Sequence, residues 1–68
     1  MFKLPKYIEA WCGGAARFWQ LDFTCQMRLV EIHIDYFKGM QEKKLLPSNY
    51  CQNEISKLNE LQDYLINN

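Results

Sequence analysis

A mainly α domain is what this 68-residue sequence predicts, and three observations carry that reading. Apolar residues after Pro47 recur at three- and four-residue steps. Residues 19–36 contain no Gly, Pro or Asn at which an extended ribbon could turn. Helix formers and paired lysines then lead up to a Pro-Ser-Asn break. The expected arrangement is one domain over residues 1–68, with a short N-terminal helix, a long central helix and a C-terminal helix. The alternative is an α+β chain, a β-ribbon followed by one helix.

The N-terminal element starts well as a helix, because Pro5 suits a first turn, where a missing N–H is no loss. The stretch "AWCGGAARFW" follows, and Gly13-Gly14 admits three readings. A helix break ranks first, since glycine accepts the left-handed conformation that ends helices. A continuous helix ranks second; it would carry a cost of about 1 kcal/mol per glycine, offset by close packing along Ala10, Gly14 and Arg17. A two-residue hairpin turn ranks third.

The central segment carries two superimposed patterns. Residues 19–29 place apolar side chains at odd positions and residues 30–36 at even ones, which is strand alternation with one slip. An 18-residue strand would, however, span about 60 Å, too long for a chain of this size. As a helix, the segment places Phe23, Met27, Val30, Ile34 and Phe37 on one face, and Cys25, Leu29, Ile32, Tyr36 and Met40 on a second. Such a helix is expected to be buried on two sides, with Thr24, Arg28, Glu31, Asp35, Lys38 and Glu42 forming the polar stripe between them.

The C-terminal third reads as a helix from 49 to about 66. Ser48 or Asn49 is the expected N-cap, and Asn49 with Gln52 has the spacing of a capping box. Cys51, Ile55, Leu58, Leu61 or Gln62, and Leu65 form the apolar stripe, backed by Asn53, Lys57, Glu60 and Asp63. Asn67 and Asn68 are expected to fray.

Composition narrows the function classes. Apolar residues make up 49% of the chain and aromatic ones 15%, too much for a disordered segment. A domain this short hides only about 60% of its unfolded surface, so help from a second copy or a partner is expected. Eight basic residues balance eight acidic ones, which argues against nucleic-acid binding by phosphate neutralisation. The distribution is slightly polar: residues 1–30 hold four basic and two acidic residues, and residues 51–68 hold one basic and three acidic. That asymmetry suits head-to-tail or antiparallel self-association.

Cys12, Cys25 and Cys51 lack paired spacing, and His33 is the only histidine. Neither a disulfide framework nor a metal site is expected, and the thiols read as buried groups in a reducing compartment. Glu9 interrupts any secretory signal, and no apolar run approaches the roughly 20 residues that cross a bilayer. The expected location is the cytoplasm.

Enzyme signatures are absent: the chain has no phosphate-cradling loop, H-E-x-x-H or G-x-S-x-G. No cofactor is expected, and His33 reads as a hydrogen-bonded boundary residue beside Asp22 and Gln26. The ending "LQDYLIN" superficially resembles the small two-helix aspartyl-phosphate phosphatases of the sporulation-regulator type, with Asp63 at the motif aspartate. Asn59, Glu60, Leu61 and Gln62 depart from their Ser-Gln-x-Leu-Asp pattern, so that function is not carried over.

Interaction remains as the expected role. The sequence suggests a small non-enzymatic module, an inhibitor, adaptor or assembly factor, that docks aromatic and apolar helical faces on a protein partner and also forms a homodimer. Trp11, Arg17, Phe18 and Trp19 are the candidate anchors, because buried Trp and Arg dominate interface energetics. The alternative is a peripheral protein held on a membrane surface by the aromatic and basic N-terminal segment.

Overall fold

A computed structural model describes residues 2–67. Four helices follow in order: α1 (Lys6–Cys12), α2 (Ala15–Gln20), α3 (Phe23–Glu42) and α4 (Ser48–Asn67). The fold is mainly α, and the β-ribbon alternative is not realised, since no strand occurs among the described residues. A 20-residue helix is about 30 Å long. The two long helices therefore set the 35 Å dimension of a molecule measuring 35 × 24 × 19 Å.

Pro5 opens α1, and its carbonyl accepts from the amides of Ile8 and Glu9. Gly13 closes α1 at φ 82°, in the left-handed region, and the Gly14 amide reaches back to the Glu9 carbonyl at 2.8 Å. This is a Schellman-type stop, so the glycine pair is a helix break. Gly14, at φ 135° and ψ 154°, then redirects the chain into α2. That conformation is essentially restricted to glycine.

The sequence reading did not separate α2 from the long helix. The second break falls at Leu21, which is extended, and at Asp22, whose Oδ1 accepts from the Cys25 amide at 2.8 Å to cap α3. Asp22 therefore sits at the start of α3 and is no part of a seam with His33. Gln26 reaches back instead, donating from Nε2 to the Phe18 carbonyl at 3.0 Å in a buried contact. It adds a second donor to a carbonyl at the end of α2 that also accepts from the Leu21 amide at 3.1 Å.

α3 ends at Glu42 with Lys43 as its C-cap, and Lys44 takes φ 59° as the chain turns toward Pro47. Gly39, one turn earlier, has no atom within 4 Å of where a Cβ would sit. The expected capping box at Asn49 does not form, because α4 starts one residue earlier. Ser48 is already helical, the Pro47 carbonyl accepts from the Cys51 amide, and the Ser48 hydroxyl accepts from Gln41 Nε2. Asn67 is the last residue of α4, and Asn68 lies outside the described residues.

α3 and α4 form the main packed pair. Phe37 meets Tyr50 near the connecting loop, while Trp19, just ahead of α3, meets Tyr64 near the end of α4. The two helices therefore run antiparallel. Leu4, Ile8 and Phe18 from the N-terminal segment close over Val30, Ile34 and Phe37 of α3 and Cys51, Leu58, Leu61 and Leu65 of α4. The α4 stripe matches the sequence reading, with Ile55 at its edge and the unexpected Glu54 inside it.

α3 departs from expectation in one respect that matters for function. It buries only one face, made by Gln26, Val30, His33, Ile34 and Phe37. The second predicted face is covered only in part: Leu29 and Met40 are half-buried against the core, while Cys25 is exposed, Ile32 is 44% exposed and Tyr36 53% exposed. The physical reason is supply, since the short α1 and α2 and the single long partner α4 cover one arc of α3 and have nothing left for the other.

Candidate functional site

The uncovered arc of α3 is the most unusual surface of the molecule. At 100° per residue, Cys25, Leu29, Ile32 and Tyr36 lie within about 60° of one another. They form a single apolar ridge along the helix. Trp11 projects from α1 beside it and is 63% exposed, the most exposed aromatic side chain among the described residues. Apolar side chains exposed singly are ordinary, whereas here they form a row with a tryptophan at its side.

Trp11 and Ile32 divide the surface into two open grooves. One holds Arg17, Leu21, Cys25, Arg28 and Leu29, and the other holds Tyr7, His33, Tyr36, Leu46 and Tyr50. The first groove therefore has two guanidinium groups at its end, and the second is aromatic. Arg17 is positioned by its own stem, whose Cδ lies over the Gly13 turn.

The floor of the aromatic groove is tied down by hydrogen bonds and ring contacts. His33 donates from Nδ1 to the Leu29 carbonyl at 2.8 Å, which sets its tautomer. Its ring stacks on Tyr7 at 5.3 Å and meets the edge of Trp11 at 5.3 Å. The boundary role expected for His33 fits this geometry. Tyr7 in turn donates its hydroxyl to Glu54 Oε1 at 3.0 Å, and Lys57 donates to Glu54 Oε2 at 3.1 Å. Burial, reinforced by the Glu54 hydrogen bond and charge, pushes the Tyr7 phenol well above its ordinary range. This polar clamp ties α1 to α4, and it holds Tyr7 and His33 as a platform beneath Trp11.

The thiols differ in setting. Cys51 is fully buried, Cys12 is partly buried and Cys25 is exposed, and all three are free. Burial raises the Cys12 thiol, and the hydrogen bond with the Asp22 carboxylate raises that of Cys25. Both shifts disfavour the thiolate, the form a nucleophile or metal ligand would need. No group of three or more His, Cys, Asp or Glu side chains that could hold a metal converges among the described residues.

The four predicted anchors are separated by the fold. Trp11 and Arg17 lie on the open face. Trp19 lies on the other side, half-buried against Phe18 at 5.1 Å and Tyr64 at 5.7 Å. Phe18 is a correction: it is fully buried in the core, so its ring offers no surface to a partner. Sequence reasoning treated Ile32 and Tyr36 as buried. Their signal was present as the second stripe of α3, but the stripe alone does not say whether its cover comes from the same chain.

In the aromatic and basic N-terminal segment, Leu4, Ile8 and Phe18 point into the core while Trp11 stays exposed. No helix among the described residues is long and apolar enough to cross a membrane. No family model matches the chain, and no curated protein or solved structure is significantly similar to it.

Proposed function

We propose that this chain is a non-enzymatic interaction module that docks the open face of α3, with Trp11 beside it, on a protein surface. The observation that supports this reading is the row of Cys25, Ile32 and Tyr36, which the chain itself leaves exposed, with the half-buried Leu29 between them. Trp11 supplies an anchor with large apolar area and one N–H, the kind of side chain that concentrates binding energy at an interface centre. The hydrogen-bonded His33–Tyr7 platform lowers the ordering cost of presenting it. Roles such as inhibitor, adaptor or assembly factor all use a face of this kind, and the cytoplasmic setting fits three unpaired thiols.

Ile32→Asp tests the proposal. Ile32 is 44% exposed, so the variant is expected to keep its helical circular dichroism and its thermal midpoint, because substitutions at open surface sites usually change stability by about 0.5 kcal/mol or less. Its protein contacts, read by quantitative affinity purification from native extract and by cross-linking of the purified chain, should be lost. Trp11→Ala should act in the same direction. If both variants retain every contact of the parent chain, the open face is not the docking surface.

A further inference from the structure

We infer that the protein seated on the open face of α3 is a second copy of this chain, with its α3 antiparallel, so that Arg28 meets the partner's Asp35 twice across a two-fold axis. The inference rests on the docking reading above and names its occupant. Two independent features carry it, the spacing of the ridge and the charges along its edge.

The ridge residues Cys25, Leu29, Ile32 and Tyr36 are spaced by four, three and four. Steps of three and four keep side chains on one face of a helix, and such a face can serve as the seam of a helix pair. One edge of the seam is walled by α1, where Trp11 stands against His33. The other edge is open and carries Arg28 and Asp35, seven residues and so about 10 Å apart along the axis.

Both charges are exposed, and neither is paired within its own chain. The one ion pair among the described residues is Lys57 with Glu54. Glu31 stands three residues after Arg28, and Lys38 three after Asp35, yet neither pair closes. The edge thus presents one positive and one negative group, placed symmetrically about a point between residues 31 and 32. Turning a second copy end over end about that point brings opposite charges together on both sides, and the same operation lays ridge on ridge. A parallel pair would instead set Arg28 opposite the His33 edge and Asp35 opposite Met40, with no complementary charge. Charge complementarity of this kind is how helix pairs choose orientation.

Sedimentation velocity over a concentration series tests this. The parent chain is expected to form a dimer. Arg28→Glu and Asp35→Lys should each weaken it by at least about tenfold, because one reversal creates two like-charge contacts in a symmetric pair. The doubly reversed chain should recover the parent affinity to within about threefold. Both positions are exposed, and circular dichroism of each variant checks that the fold is kept. Orientation is read separately by mild oxidation. In the antiparallel pair the two Cys25 residues lie about 20 Å apart, far beyond the roughly 7 Å Cα separation a disulfide tolerates, so no Cys25–Cys25 link should form.

A dimer that fails to recover on double reversal, or that links readily through Cys25, overturns the antiparallel pairing. A parent chain that stays monomeric but loses a different bound protein on Ile32→Asp overturns the second copy as occupant and leaves the docking face standing. A monomer indifferent to Ile32→Asp in every contact overturns both.

Discussion

Tyr7 and Glu54 bury a hydroxyl and a carboxylate side by side, and each satisfies the other. Tyr7→Phe keeps the ring against His33 and Phe37 but leaves Glu54 Oε1 without its donor, so urea unfolding should show a loss of about 1–3 kcal/mol. The pH dependence follows from the raised Tyr7 phenol. A group that holds its proton more tightly when folded contributes fully below its unfolded value, about 10 for tyrosine, and that contribution is lost as pH rises beyond it. The parent chain should therefore lose more stability above about pH 10 than Tyr7→Phe does. Asp22 works in the opposite sense. Its hydrogen bonds from Cys25 hold its carboxyl below the ordinary value, so the cap acts in full at neutral pH and fades as pH falls through the depressed folded value. Asp22→Ala should lower the thermal midpoint at pH 7, and the gap from the parent chain should narrow in acid.

At the scale of elements, the two helix breaks differ in how they are made. Gly13 and Gly14 take φ 82° and φ 135°. An Ala at 13 meets only ordinary contacts with Arg17, so its cost is backbone conformation, about 1–2 kcal/mol. Gly14→Ala has open space around it but a conformation that L-residues avoid, and chemical denaturation should show it as the more damaging of the two. The first break was legible in the sequence because glycine announces it. The second was not, since Leu21 and Asp22 lack Gly or Pro, and the Asp22 cap has Cys25 where a capping box has Glu or Gln. α4 was legible almost to its ends, because its stripe has one partner and one period. α3 was legible as a helix, but the burial of its second stripe was misjudged. Periodicity reports which side chains share a face, while cover depends on how much of the chain remains to supply it. The exposed ridge was therefore written in the sequence under the heading of core.

The whole molecule draws its stability from a core of ten hydrophobic side chains spread over the N-terminal segment and all four helices. Domains of this size are marginal, with about 5 kcal/mol or less to spare. Phe18→Ala and Leu58→Ala each remove a fully buried side chain, and each should cost about 2–5 kcal/mol. Calorimetry is expected to find no cooperative transition in the double variant. Gly39 brings a different consequence. It leaves the last turn of α3 without a side chain at that point, beside open space. Amide hydrogen exchange should then be graded along this one helix, slow from Val30 to Phe37 and fast from Gly39 onward, where single turns open without the rest of the molecule following. Filling the site with alanine should stabilise the chain by about 1 kcal/mol, and the slow-exchanging block would extend toward Glu42.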